Sequence, residues 1–294
     1  FSNWLREHFS EQVKLAKEKN EKLLGITQLD WSAGASSAFI ENKIPYVVFV
    51  RDEVCFQFPE LFKKCLEKAE TVIVAGEGLA SQIKEQFSIK SISIVHLPVN
   101  FEEIYPKAEL KKKLEEVNKY RLENNLTNPR IAIVGMVPEK GFEFYNRELI
   151  PKMKLLWPEA TLHVFGGGPF AQKLAKHSNT FDEGFCKLED IYPFCDINMF
   201  RLELVGTWGR VINEAGYFSK PSISIDIGAQ SEAVGLGGKV MPHTASAEEW
   251  ITEIKRIYAD IENYGDLAFN HRLIVDHKNS INEFLNVIES VIND

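Results

Sequence analysis

Short apolar runs alternate along the chain with stretches of helical spacing. In the first half, residues 43–50 (KIPYVVFV), 69–75 (AETVIVA) and 91–99 (SISIVHLPV) are almost continuously apolar, and helical stretches lie between them at 58–69 and 78–87. Strands buried on both faces have such continuous runs, and the sheets they form are usually parallel. The first half is therefore predicted to form a parallel α/β domain.

The same alternation restarts in the second half of the chain. Apolar runs at 130–136 (RIAIVGM), 160–168 (ATLHVFGGG), 197–201 (INMFR) and 221–226 (PSISID) are separated by helix-like segments. Two β/α halves whose strands end in glycine-rich loops predict two Rossmann-like domains that face each other across a cleft. Ligands of such sheets bind beyond the carboxyl ends of the strands.

A highly charged segment, residues 106–129, separates the two halves. Lys111 and Lys112 precede Glu115 and Glu116 at helical i,i+4 spacing, and the segment ends in Asn-Pro. Its three consecutive lysines favour a solvated helix face, with peripheral contact to anionic lipid as the alternative. The predicted organisation is a first domain over 1–105, a connecting helix over 106–129 and a second domain with C-terminal helices over 130–294.

Composition narrows the class of protein. The length of 294 residues favours two domains. The net charge of −8 argues against nucleic acid as the main partner. No apolar run reaches the roughly 18 residues that span a bilayer. The four cysteines lack metal-ligand spacing and are expected to be reduced core thiols in a cytoplasmic protein. They are Cys55, Cys65, Cys186 and Cys195.

Four motifs follow one another in the second half. They are IVGMVPEKGFEF (133–144), LHVFGGGP (162–169), FDEGFCKLEDIYPFCDINMF (181–200) and GTWGRVINEAGYFSKPSISIDIGAQSEAV (206–234). In this order and spacing they resemble the donor-binding domain of GT-B glycosyltransferases, in particular the retaining family 4, glycosyl transferases group 1. The first half resembles the later part of that family's acceptor-side domain more loosely. The glycine-rich first strand and loop of that domain have no counterpart, so we expect a shortened domain or a part outside this chain.

The resemblance implies an α/β protein of the GT-B fold that acts as a metal-independent, retaining glycosyltransferase. Its donor would be a UDP- or GDP-linked sugar, its acceptor a saccharide, a lipid-linked or another hydroxyl compound, and it would need no cofactor. The sequence has no Asp-x-Asp motif after a strand, and its triple glycine lacks the spacing of an NAD site. The oligomeric state is left open.

The resemblance also implies catalytic roles for Lys140, Arg210 and Glu214. A helix that starts near Gly209 would direct backbone N–H groups at the diphosphate of the donor, and Arg210 would add a cationic contact. Glu214 would accept hydrogen bonds from the ribose hydroxyls. Lys140, in the loop that follows Gly135, would be a second diphosphate contact.

Further donor contacts are expected from the turn 206–210 and from the base-binding segment. Gly206, Thr207 and Trp208 would contribute through this turn, with packing as the alternative for Trp208. The backbone around Phe185 and Cys186 would hold the base edge.

Two positions depart from the family pattern. Gly206 replaces the family's sugar-facing glutamate, for which Glu203 is the candidate substitute. Met136 replaces an arginine, for which Arg201 or Arg210 is the candidate. These departures favour, as the alternative function, a degenerate subunit that binds nucleotide sugar without transferring it.

In the first half, Arg51 and Asp52 follow the strand YVVFV. The family often has a histidine–aspartate pair at this strand end, facing the sugar. A sugar or acceptor contact and a structural ion pair are the two interpretations of Arg51 and Asp52.

Overall fold

The computed structural model describes residues 2–29, 33–51, 54–203 and 208–293. The chain divides into two compact units. The first unit comprises Phe1–Leu97, Val205–Trp208 and Lys278–Asp294, and the second unit comprises Pro98–Leu204 and Gly209–His277.

The described strands form two sheets in which every pairing is parallel. The first sheet has the order β1-β2-β3-β4, and the second has the order β10-β9-β8-β5-β6-β7. The strands are β1 (Gly25–Gln28), β2 (Tyr46–Val50), β3 (Thr71–Val74), β4 (Ile92–Ile94), β5 (Arg130–Val134), β6 (Thr161–Phe165), β7 (Thr180–Gly184), β8 (Ile197–Phe200), β9 (Ser222–Ile225) and β10 (Gly238–Met241).

Helices connect the strands in both units. In chain order they are α1 (Ser2–Lys19), α2 (Ala33–Glu41), α3 (Val54–Gln57), α4 (Pro59–Lys68), α5 (Glu77–Gln86), α6 (Phe101–Ile104), α7 (Lys107–Glu123), α8 (Phe142–Phe144), α9 (Ile150–Leu156), α10 (Pro169–Leu174), α11 (Leu188–Ile191), α12 (Arg210–Tyr217), α13 (Gln230–Val234), α14 (Ala247–Ala259), α15 (Ile261–His271) and α16 (His277–Asn293). Four shorter helical turns are Pro138–Lys140, Tyr145–Leu149, which is π-helical, Tyr192–Phe194 and Arg272–Val275. None of the described helices is long and apolar enough to cross a membrane.

The apolar runs of the sequence form the centres of both sheets. Strands β2 and β3 occupy the predicted runs 43–50 and 69–75, and β3 is buried along its whole length. In the second unit, β5, β6, β8 and β9 lie in the four predicted runs. The prediction of parallel α/β architecture is confirmed. The predicted run 91–99 contains the edge strand β4. The edge strands β1, β7 and β10 were not predicted, because their sequences GITQ, TFDEG and GKVM have no continuous apolar run.

The second sheet contains a topological switch point. From β5 the chain proceeds outward through β6 to β7, then returns to place β8 on the other side of β5 and continues to β9 and β10. The loops that leave β5 and β8 therefore diverge from neighbouring strands, and in open α/β sheets such a position is where ligands bind.

The division into units differs from the predicted boundaries. Residues 98–105 and the charged helix α7 belong to the second unit, whereas Val205–Trp208 and most of α16 belong to the first unit instead of the segment 130–294. The physical reason for the position of α16 is apolar packing, because Val287 joins a buried cluster with Val47, Ile73 and Val95 of the first unit. The ring of Phe284 also lies 5.6 Å from that of Phe49.

Candidate functional site

The loop that follows β5 brings Lys140 back to the carboxyl end of its own strand. Gly135 has a positive φ of 69°, and the Lys140 ammonium lies 3.3 Å from the Val134 carbonyl oxygen, to which it donates. A Cβ atom at Gly135 would lie 2.9 Å from Lys140 Nζ, so that glycine leaves room for the lysine. The glycine-rich loop after β6 packs here too, because a Cβ at Gly166 would lie 3.2 Å from the Gly135 Cα.

Helix α12 begins at the switch point, after β8. Its N-cap is Gly209, in a left-handed conformation with φ 70° and ψ 59°, and a glycine offers no side-chain cap to the helix. A Cβ at Gly209 would lie 2.8 Å from Gln230 Oε1 and 2.9 Å from a ring carbon of Phe200, so the position requires glycine. The first N–H groups of an uncapped helix point outward with a partial positive charge, which suits an anion.

Glu214 lies one turn into this helix and is buried, with 7% of its surface exposed. Its carboxylate accepts a hydrogen bond of 3.2 Å from Arg210, whose side chain is half exposed. Burial raises the pKa of the Glu214 carboxyl above its ordinary value, and the charges of Arg210 and Lys140 oppose this rise. Among the described residues this is the one hydrogen bond of the Glu214 carboxylate, which therefore retains capacity to accept from hydroxyl groups.

Lys140 is half-buried beside the same carboxylate. Burial lowers the pKa of its ammonium, and the charge of Glu214 opposes the lowering. The ammonium lies 5.7 Å from the centroid of the Phe200 ring, the last residue of β8. The structure thus brings Lys140, Arg210 and Glu214 together at the carboxyl ends of β5 and β8.

A second cluster of charged groups lies beside the loop that carries Lys140. Glu203 accepts a hydrogen bond of 2.7 Å from Arg201 Nε, and its other carboxylate oxygen lies 3.4 Å from His243 Nε2. The Arg201 side chain is buried, stacks 4.2 Å from the Phe144 ring centroid and contacts Gly141, where a Cβ would lie 2.8 Å from its Cδ.

Other predicted site residues have different environments. Phe185 is 91% exposed, and the neighbouring Cys186 is exposed as well, so the expectation that all four cysteines are core thiols was wrong at this position. Trp208 is buried in the first unit, with its ring edge-on to His96 at 4.9 Å. Arg51 is exposed at the end of β2, with its guanidinium 5.8 Å from the Phe49 ring centroid.

Three predicted residues, Asp52, Gly206 and Thr207, lie outside the described residues. Of the two departures from the family pattern, the structure describes Met136, which is buried with 4% of its surface exposed and supplies no cation.

Sequence reasoning missed three residues around Glu214. Phe200 and Gln230 enclose Gly209, and the phenol of Tyr192 donates to the Val211 carbonyl oxygen at 3.1 Å. The pKa of Tyr192 is raised by its burial and by the charge of Glu214. Phe200 could have been found from the sequence, because it is the last residue of the strand that precedes α12. Tyr192 and Gln230 are brought here by tertiary packing alone. Among the described residues, no three His, Cys, Asp or Glu side chains form a group suited to a metal ion.

Two parallel-sheet α/β units with a charged site at a switch point have the architecture of GT-B glycosyltransferases. A glycosyltransferase from Rickettsia africae ESF-5 superposes with a TM-score of 0.76 at 15% identity, over 99% of this chain and 81% of that chain. Sucrose-phosphate synthase from Thermosynechococcus elongatus superposes with a TM-score of 0.72 at 15% identity, over 97% of this chain and 77% of that chain. Anabaena HepE in complex with UDP and glucose superposes with a TM-score of 0.69 at 16% identity, over 96% of this chain and 81% of that chain. The chain therefore has the GT-B fold.

The family match identifies the second half more closely. Residues 128–260 match the family model of Glycosyl transferases group 1, so the resemblance that the sequence motifs indicated is confirmed over this segment. No curated protein matches the chain in sequence.

Proposed function

We propose that this protein is a retaining glycosyltransferase that moves a sugar from a UDP- or GDP-linked donor to an acceptor hydroxyl without a bound metal or cofactor. One observation carries the proposal: two cations and a helix N-terminus surround a buried carboxylate at the switch point of the second sheet. The match to Glycosyl transferases group 1 over 128–260 supports the same class of reaction.

Each group has a distinct role in this proposal. Lys140, Arg210 and the first N–H groups of α12 bind the diphosphate and stabilise the charge that develops on it as the sugar departs. Glu214 accepts hydrogen bonds from two ribose hydroxyls. Gly135 and the turn 206–210 approach the donor through their backbone, and the segment at Phe185 holds the base.

Retention of configuration follows from attack on the face that the leaving group vacates. The bond between the anomeric carbon and the diphosphate oxygen breaks, the acceptor oxygen bonds to that carbon from the same side, and the diphosphate takes the proton of the acceptor hydroxyl. The protein contributes positioning and electrostatic stabilisation. The UDP and glucose in the HepE complex support a UDP-linked donor, and a saccharide or lipid-linked compound is the proposed acceptor.

Recognition of the sugar is assigned to Glu203 in place of the missing acid at Gly206. The hydrogen bond from Arg201 and the contact with His243 hold the Glu203 carboxylate in one orientation, which favours defined hydrogen bonds to sugar hydroxyls. Arg51 and Asp52 remain proposed sugar or acceptor contacts.

Thermal shift with a panel of nucleotides tests the donor class. UDP-glucose or GDP-mannose, but not NAD or ATP, should raise the melting temperature in the presence of EDTA. A ligand at 100 times its dissociation constant stabilises by roughly 2.7 kcal/mol, which is measurable for a chain of this size. A shift that EDTA abolishes, or a shift with NAD alone, would contradict the proposal.

Replacing Arg210 tests the diphosphate contact. Arg210→Ala should weaken UDP by about 1.5–3 kcal/mol, because one charge-assisted hydrogen bond is lost, and should leave uridine almost unaffected. Arg147→Ala is the matched control, since Arg147 forms an exposed i,i+4 pair with Glu143. Equal weakening of uridine and UDP, measured by calorimetry, would remove Arg210 from the diphosphate.

A second candidate function is a binding-only subunit of the same fold. The buried Met136, where the family has an arginine, is the observation that favours it, because one cation is lost beside the diphosphate. A partnered assembly is known for a structural neighbour, the GtfA/B complex. Release of nucleoside diphosphate, measured with and without candidate acceptors, separates the two functions.

A further inference from the structure

A cavity of about 450 Å³ lies at the opposite edge of the second sheet from the proposed donor site. The donor residues follow the strands β5 and β8, whereas Asp196 and Lys220, which line this cavity, precede β8 and β9. Leu114, Phe218 and Ile261 form the apolar part of its wall, beside polar and charged residues.

Lys220 is held in this cavity by a tight connection between α12 and β9. Its backbone N–H donates to the Ala215 carbonyl oxygen at 3.0 Å, and the preceding Ser219 has a positive φ of 56°. Its ammonium forms no hydrogen bond or ion pair with any of the residues that the structure describes. An amine at the end of a long side chain, in a cavity and without a partner, is available to a ligand.

The carboxylate of Asp196, whose charge acts on Lys220, is already engaged. Asp196 accepts two hydrogen bonds from Arg121, at 2.7 and 3.0 Å, and a third from the Arg130 backbone at 2.9 Å. Burial lowers the pKa of the Lys220 ammonium, and the positive charge of Arg121 lowers it further. Asp196 and Cys195 act in the opposite direction. A larger fraction of Lys220 is therefore the neutral, nucleophilic amine near neutral pH than for a surface lysine.

The charge of the cavity selects among ligands. Glu262 and Asp266 also line it and are exposed to solvent, so a phosphate or carboxylate would be repelled at its opening. A neutral electrophile is not repelled by these carboxylates. If it has an apolar body, that part can contact Leu114, Phe218 and Ile261.

We propose that Lys220 is the reactive amine of a second ligand site, which captures small apolar aldehydes as a reversible imine. The amine nitrogen attacks the carbonyl carbon and forms a carbon–nitrogen bond. The resulting carbinolamine then loses the carbonyl oxygen as water, which takes both protons of the amine. The step needs no oxidant or reductant, and hydrolysis reverses it.

Reductive trapping tests the proposal on the whole chain. The protein is incubated with benzaldehyde and cyanoborohydride near neutral pH, and the rate at which each lysine gains a benzyl group is measured by peptide mass spectrometry. Lys220 should react several-fold faster than Lys111, whose side chain is 90% exposed. An excess of benzyl alcohol, which competes for the same apolar wall but cannot form an imine, should slow Lys220 and leave Lys111 unchanged.

Two outcomes would overturn the inference: labelling of Lys220 no faster than that of Lys111, or labelling that benzyl alcohol does not slow. Unfolding in urea should remove the preference, since it depends on the cavity. Lys220→Arg should remove the label without altering the rate at Lys111. Because the comparison between lysines is made within the wild-type chain, it stands even if that variant folds poorly.

Discussion

At the residue scale, Glu214 and Lys140 are held in surroundings that disfavour the charge of each. Burial raises the pKa of the acid and lowers the pKa of the base, and their mutual attraction compensates only in part. Such paired, opposed shifts are common at functional sites. A bound diphosphate would supply a partner for Lys140, and ribose hydroxyls would supply partners for Glu214. We therefore expect the site to favour ligand binding at a cost in the free energy of unfolding.

Glu214→Gln should therefore stabilise the protein while weakening nucleotide binding. The folded state raises the pKa of Glu214 above its ordinary 4.5, so the free energy of unfolding falls as the pH rises from about 4.5 toward the folded pKa and stays at the lower value above it. At neutral pH we expect a melting temperature higher by about 2–4 °C, corresponding to roughly 1 kcal/mol. The gain should vanish as the pH falls below 4.5, where the wild-type carboxyl is neutral in both states.

The same variant should bind UDP and uridine more weakly by about 2 kcal/mol, roughly thirtyfold, because a charged acceptor of two hydroxyls is lost. Glu143→Gln is the control, since Glu143 is exposed and forms the equivalent i,i+4 pair with Arg147. A variant that binds both ligands as tightly as the wild type would exclude Glu214 from the ribose.

At the element scale, the start of α12 depends on the conformation of Gly209. Gly209 turns the chain through a left-handed conformation and fits between Phe200 and Gln230. Helix α12 begins directly after this turn and carries Arg210 and Glu214, so the conformation of one glycine affects where these two side chains lie.

Gly209→Ala should cost about 1–3 kcal/mol of stability, because a side chain is strained at positive φ and would overlap its neighbours. Urea unfolding measures the loss, and UDP binding should weaken as the helix start shifts. Gly34→Ala is the control, since a Cβ there meets nothing within 4 Å and Gly34 lies in helix α2. Equal stability of Gly209→Ala and the wild type would show that the turn tolerates a side chain.

At the scale of the whole molecule, the end of the chain completes the core of its beginning. Helix α16 places Val287 against Val47 and Ile73 of the first sheet. The first unit therefore depends on residues that follow the entire second unit in sequence.

Val287→Asp should destabilise the first sheet selectively, because it buries a charge without a partner. Hydrogen exchange should show lost protection at the amides of Val48 and Val72, with protection retained at Ile133 of the second sheet. Asn286→Asp, which adds the same charge on the exposed face of α16, should leave both sheets unchanged. Equal loss in the two sheets would contradict the packing of this helix on the first unit.

Much of this organisation could be predicted from the sequence because it depends on local patterns. Continuous apolar runs determine the central strands β2, β3, β5 and β8, since a strand buried on both faces cannot alternate. The pairs Lys111–Glu115 and Lys112–Glu116 follow from helix geometry alone, at 3.9 and 3.6 Å. The glycine-rich loops and their order along the chain determined the family resemblance and, through it, the selection of Lys140, Arg210 and Glu214.

Only the tertiary structure decided the features that depend on contacts distant in sequence. The order of β8 beside β5 creates the switch point, and strand pairing is a choice among distant segments that no local pattern specifies. The burial of Glu214 and the packing of Tyr192 and Gln230 around its helix arise from that pairing. The cavity at Lys220 has the same origin. The sequence by itself determined which groups this chain has for chemistry, and the fold determined their charge, exposure and neighbours, because desolvation and proximity are properties of the packed chain.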